Sequence, residues 1–246
     1  VAQVLVAAAF VPAAPVLVPE LSGPGVPEIL PIRDAAHAVC DQLAERARRW
    51  MVVGIGDPAV PVAARGTFVG FGADVEVEID PRTPGDPDAL MPTSVLLAGW
   101  LAAAVEPRPE LAVTLVDAET SAADSAELGR VLGRALAATD EPIGLLVVAD
   151  GATTLGAKAP GGEQAEAAAL QTVIDAALGS ADLDALGALP EEKCAHLGVS
   201  GRAVWQLVAG ALVGAGVDGA AVDGVLLSAA APFGVGYVVA RWDMRW

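Results

Sequence analysis

The chain predicts an α/β fold, a three-layer α/β/α sandwich around a mostly parallel or mixed central sheet. Three observations carry this reading. Short apolar runs rich in Val, Leu and Ile recur along the chain, segments with helical spacing lie between several of them, and most of the runs are near-continuous rather than alternating. The last pattern belongs to strands covered on both faces. At 246 residues and 54% hydrophobic content, the chain has enough apolar material for a full core, and a single domain spanning 1–246 is expected.

The elements follow in order. Residues 4–10 form the first strand, closed by the turn that Pro12, Pro15 and Pro19 impose. A helix is expected over 32–50, where apolar positions recur three and four residues apart, and a buried strand over 51–55. Residues 75–79 read Val-Glu-Val-Glu-Ile, so they are placed at a sheet edge with the glutamates facing solvent. The stretch 80–87 is dense in turn formers and is read as an irregular loop. A helix over 95–105, a strand over 111–116, a helix over 121–138, a strand over 143–149 and a helix over 163–178 continue the alternation. Two short helices are expected to begin near 180–182 and 191–192, ahead of a helix over 202–213, and strands over 225–229 and 237–242 close the chain. There is no internal repeat or long linker, and the many alanines suit close packing of helices on the sheet.

Charge excludes some partners. Lys and Arg number 14 against 31 Asp and Glu, a formal net charge of −17 that repels phosphate backbones and anionic lipid surfaces. Neither nucleic acid nor a membrane is an expected partner. The apolar start lacks a basic n-region and is broken by prolines, unlike a signal peptide, and no other stretch is long and apolar enough to span a bilayer. Two cysteines, Cys40 and Cys194, are too few for a disulfide framework. A cytoplasmic protein is expected.

In open α/β sheets ligands bind beyond the carboxyl ends of the strands. The residues there are Pro12, Ala13 and Ala14 after the first strand, Gly56 and Asp57 after the second, Asp117, then Asp150 and Gly151, and finally Pro232 and Phe233. These loops are expected to converge on one cleft. Lys158, one of only two lysines, stands in a loop rich in Gly and Pro and is a candidate for holding an anionic group. Asp57-Pro58 and Asp150-Gly151 are also turn signals in their own right.

Three stretches resemble a known family: Phe10-Val11-Pro12-Ala13-Ala14-Pro15, then Leu145 through Gly151 with Lys158-Ala159-Pro160-Gly161-Gly162, and Ala231-Pro232-Phe233-Gly234-Val235-Gly236-Tyr237. Together they are similar to the catalytic-subunit-B-like (LigB-like) family of class III extradiol ring-cleavage dioxygenases, in particular to an uncharacterised actinobacterial branch. The resemblance spans essentially the whole chain and implies the same sandwich fold. It also implies an ancestral Fe(II) held by two His and one carboxylate, a set that leaves positions open for catechol and dioxygen. Here Ala13 stands where the first His is expected and Gly56-Asp57 where the second is. Asp150-Gly151-Ala152 lacks the catalytic His, and Ala231-Pro232-Phe233 lacks the Glu. No cofactor is therefore expected and the ancestral Fe(II) site is read as lost.

The leading expectation is a metal-free relative that uses the old cleft for a small-molecule ligand or a scaffolding role, with a homodimer among its expected partners. An enzyme of different chemistry built on Asp150, Asp57 and Lys158, and a divergent metal-dependent dioxygenase, are the alternatives. His37 and Cys40 share a helix face and Cys194 and His196 are close in sequence, so a relocated Cys2His2 site is conceivable, although the Cys-x-His spacing is unlike zinc patterns. Glu20 and Asp57 could instead serve a hard divalent cation. Gly54-Ile55-Gly56 does not complete a dinucleotide loop, and no Gly-x-Ser-x-Gly elbow supports serine hydrolysis. Trp100, Trp205, Trp242 and Trp246 are read as core or interface anchors, with Trp246 a candidate to cover a partner subunit.

Overall fold

The computed structural model describes residues 4–23 and 25–245; Trp246, the expected subunit anchor, lies outside them. In chain order the elements are β1 (Leu5–Val11), α1 (Pro19–Ser22), α2 (Leu30–Arg46), β2 (Arg49–Ile55), β3 (Arg65–Thr67), β4 (Glu76–Glu78), α3 (Thr93–Ala103) and β5 (Glu110–Val116). They continue with α4 (Ala122–Ala137), β6 (Ile143–Val148), α5 (Ala167–Ser180), α6 (Leu183–Gly187), α7 (Glu191–His196), α8 (Gly201–Gly214), β7 (Val222–Ala230) and β8 (Tyr237–Met244). Local chemistry sets several boundaries. Ser121 caps α4 by accepting the Asp124 N–H, and Asp182 caps α6 by accepting that of Ala185. Side-chain caps of this kind are worth about 1 kcal/mol each.

Six strands form the central sheet in the order β5-β2-β6-β1-β8-β7. β5, β2, β6 and β1 run parallel, whereas β8 is antiparallel to both β1 and β7. The expected sandwich with a mixed sheet is thus the observed architecture. Each face carries its own core because successive side chains on a strand point to opposite sides. Ala7, Ala9 and Val11 join Val52, Leu146, Val148 and Val239 beneath α2 and α3. Leu5, Ala8 and Phe10 join Val53, Leu145, Val147 and Trp242 beneath α5 and α8. Phe10 and Trp242 pack ring on ring at 4.4 Å, and the Trp242 indole N–H donates to the Leu178 carbonyl at 2.6 Å, so the largest buried side chain of β8 leaves no polar atom unsatisfied.

Two expectations require correction. Residues 75–79 do not edge the main sheet; their core, β4, pairs with β3 in a separate two-stranded sheet. Val77 is buried there, while Glu76 and Glu78 keep the expected solvent-facing side, paired with Arg65 and Arg108, so the correction concerns the sheet and not the alternation. The helix expected over 32–50 ends at Arg46, and Trp50 belongs to β2. Its ring is buried and its N–H reaches back to the Ala47 carbonyl at 3.0 Å. Among the described residues no helix is long and apolar enough to cross a membrane.

α4 and α8 are bonded by shape rather than by side chains. Gly129 and Gly133 on α4 face the Leu207 and Ala211 carbonyls of α8, and Gly210 and Gly214 on α8 face the Ala126 and Arg130 carbonyls of α4, each with no room for a Cβ. Glycines four residues apart on both helices let the backbones approach directly.

Candidate functional site

β1 and β6 are neighbours with parallel register, Val11 opposite Val148, yet their chains leave in opposite directions. β1 leads to α2, which packs in the core of one face, and β6 leads to α5, in the core of the other. Such divergence marks the carboxyl ends of two adjacent strands as the position of the crevice where α/β sheets take ligands. Ala13 and Asp150 meet there. The Ala13 N–H donates to Asp150 Oδ1 at 2.8 Å, and among the described residues no other group donates to this carboxyl.

Protein surrounds Asp150 on nearly all sides, although part of its surface still meets solvent. Burial pushes the carboxyl up to about 7, only partly opposed by the Ala13 N–H. No cation offsets the cost, because no Lys, Arg or His contributes to the carboxyl's environment. Burial raises Tyr237, the first residue of β8, to about 12, with the Asp150 charge adding to the effect. Tyr237 therefore stays a neutral hydroxyl at any ordinary pH.

Backbone bonds hold the crevice in shape. Gly151 N–H donates to the Gly236 carbonyl and Gly236 N–H to that of Ala152, both at 2.8 Å, while Gly201 N–H donates to the Asp150 carbonyl at 3.2 Å. Gln171 on α5 wedges between the two loops. Its Oε1 accepts the Ala152 N–H at 2.9 Å and its Nε2 donates to Asp175 Oδ1 at 2.7 Å. A Cβ at either Gly151 or Gly236 would run into the Gln171 amide, which explains glycine at both positions. Replacing Gln171 by Leu is expected to cost about 1–3 kcal/mol, the penalty for orphaning a buried N–H. Denaturant unfolding, with faster amide exchange at Ala152, would check it, and an unchanged midpoint would count against the wedge.

The remaining sequence candidates do not join this crevice chemically. Asp57 and Asp117 are exposed and turn back on their own loops, accepting the Ala59 and Glu119 N–H groups at 2.8 Å. Lys158 and Phe233 are exposed, Pro12 and Ala14 are buried, and Gly56 and Pro232 are half-buried. Neither Asp57 nor Lys158 contributes to the environment of Asp150, so the expected carboxylate pair with a lysine clamp is not assembled. The expected cleft reduces to Ala13, Asp150 and Gly151, joined by Tyr237 and Gln171, which the sequence did not single out.

The alternative metal sets fare similarly. His37 and Cys40 lie on α2 against one core, whereas Cys194 and His196 lie on α7 against the other, so the sheet separates the two halves of the Cys2His2 set. His37 packs on Trp100 at 4.9 Å, and burial lowers its pKa. His196 and Glu20 are exposed. Among the described residues no three His, Cys, Asp or Glu side chains gather as a metal-binding group.

No family model matches this chain, and no curated protein does. Among solved structures it is similar to the crystal structure of an uncharacterised protein from Escherichia coli K12, with a TM-score of 0.50 and 16% identity over 97% of this chain and 99% of that one. At that identity the likeness establishes the fold.

Proposed function

We propose that this protein is a relative of the dioxygenase B subunits that has lost the Fe(II) reaction and binds a small molecule in the crevice between β1 and β6. The observation that carries this is the Ala13–Asp150 pair: a solvent-reachable, protein-enclosed carboxyl, anchored by one backbone N–H, at the divergence point of two parallel strands. Buried acids with raised pKa values in such positions are functional-site candidates. The residues present do not fit Fe(II). The facial set needs two imidazoles beside one carboxylate, and the crevice offers the carboxylate of Asp150, the methyl of Ala13 and the bare backbone of Gly151.

Anaerobic Fe(II) loading followed by a catechol-cleavage assay is expected to give no turnover and no stoichiometric bound metal. Ring cleavage or tightly held iron would overturn the reading. A thermal-shift screen of small polar compounds, run on the wild type and on Asp150→Asn in parallel, is expected to yield ligands whose effect is lost in the variant.

One further reading is favoured by the same carboxyl. A group titrating near neutrality is suited to general acid or base work, so Asp150 acting alone, without Asp57 and Lys158, is the reduced form of the enzyme alternative. Any activity found should then follow a single ionisation near pH 7 and vanish in Asp150→Asn.

A further inference from the structure

Arg202 stands in the first turn of α8, only 4% exposed. A guanidinium taken out of water is normally set against a carboxylate. This one meets neutral acceptors instead: Nη1 donates to Gln206 Oε1 at 2.8 Å, and Nη2 to the carbonyls of Ala118 at 3.2 Å and Thr120 at 2.8 Å. Among the described residues no Asp or Glu lies within ion-pair distance of it. Among the described residues its Nε–H meets no acceptor, and it is not sealed off from solvent.

Arg202 lines a cavity of about 480 Å³ between the loop after β5 and the stretch from α7 to the start of α8. That volume suits a small metabolite, and the position is again beyond the carboxyl ends of the strands. Ala118, Ala195 and Val199 make an apolar lining, and Cys194 adds to it as a neutral thiol, since burial raises its pKa. The exposed Glu119, Glu191 and Glu192 complete the wall. One buried cation calls for one anionic group. Three carboxylates elsewhere on the cavity wall disfavour a polyanion such as phosphate and favour a ligand that also carries a positive charge.

We infer that this cavity, separate from the Ala13–Asp150 crevice, binds a small zwitterion of the α-amino acid class. Its carboxylate accepts from the Arg202 Nε–H, and its ammonium lies toward Glu119, Glu191 and Glu192. An apolar side chain fills the space lined by Ala118, Ala195 and Val199.

The test is an amide NMR titration of the full chain with glycine, L-alanine, L-valine, L-leucine, L-methionine and L-phenylalanine. The comparison probes are 4-methylpentanoate, 3-methylbutylamine and inorganic phosphate, which are leucine without its amine, leucine without its carboxylate, and a polyanion. At least one amino acid is expected to give saturable shifts at Ala118, Thr120, Gly198 and Ser200, with the comparison probes at least about tenfold weaker, the loss that one charge-assisted contact accounts for. Arg202→Lys, which keeps the charge and loses the fork, should weaken binding by a similar factor. Because that variant also disturbs the loop carbonyls, Glu119→Gln with Glu192→Gln is the second arm. It should weaken the amino acid several-fold and leave 4-methylpentanoate unchanged or tighter. No saturable shift with any amino acid, phosphate or 4-methylpentanoate binding as tightly as the best amino acid, or unchanged amino-acid affinity in both variants would each overturn the inference.

Discussion

Gly129→Ala is expected to destabilise the fold by about 3 kcal/mol or more, in spite of the better helix propensity of alanine, which returns about 1 kcal/mol at most. The reason is the partner atom. A Cβ at Gly129 meets the Leu207 carbonyl oxygen, which belongs to the backbone of α8 and cannot swing aside as a flexible side chain would. The helices must separate, and the gap then loosens the buried residues that α8 presses on the sheet, Val204, Leu207, Val208 and Leu212 among them. For a chain of this size such a loss lowers the melting temperature by about 6–12 °C. Gly133→Ala, facing the Ala211 carbonyl, should behave alike. The two are neighbours on one interface, so the double variant should not be additive. A melting temperature within about 1 °C of the wild type for either single variant would contradict direct backbone contact.

The second large effect is a dependence of stability on pH that Asp150→Asn removes. Burial lifts the folded-state pKa of Asp150 to about 7, above the ordinary aspartate range, so the folded state binds a proton that the unfolded state has already released. Stability therefore falls as pH rises from about 4 to about 7 and levels off above it. At about 1.4 kcal/mol per pH unit the loss is about 2–4 kcal/mol, the lower end reflecting the solvent that reaches the carboxyl. Tyr237 remains neutral throughout this window. Asp175, also raised by burial, contributes with the same sign in both proteins and cancels in the comparison. Asparagine can still accept the Ala13 N–H, so urea unfolding at pH 5, 6, 7 and 8 should give a difference between wild type and variant that grows with pH and then becomes constant. Parallel curves would mean that Asp150 titrates like an exposed aspartate.

The main sheet was legible because its strands are dense in Val and Leu and bounded by Pro, Gly and Asp. Where those boundaries were missing the reading slipped. Only Ala47 and Arg48 separate α2 from β2, and neither is a breaker, so Trp50 fell into helical register on paper while tertiary packing made it a strand residue. Period-two alternation identified β4 as a strand but holds no information about which strand it pairs with. At the site, Asp150 was legible from its place after an all-apolar strand. Asp57 and Asp117 occupy equivalent places, yet each is consumed by its own turn, the outcome that an Asp followed within two residues by a free N–H often takes. Arg202 was missed, although a signal existed: Arg202 and Gln206 are the only strongly polar side chains in α8, one helical turn apart, a pair that an apolar helix retains only when something needs to be held.

The order of the strands also sets a schedule. β1 sits in the middle of the sheet with β6 on one side and β8 on the other, so Leu5–Val11 is made before the other strands of this sheet and is the last of the inner ones to be covered on both edges. Its second edge stays open until residues 237–244 have emerged, a wait on the order of tens of seconds at roughly 5–20 residues per second. During that wait the nascent chain carries an apolar strand with unpaired backbone groups, a template for pairing with other chains. The flanks of β1, Pro12, Pro15 and Pro19, cannot extend such pairing because proline has no N–H to offer. The same prolines that turn the chain into the crevice in the finished protein thus limit misassembly while it is still being made.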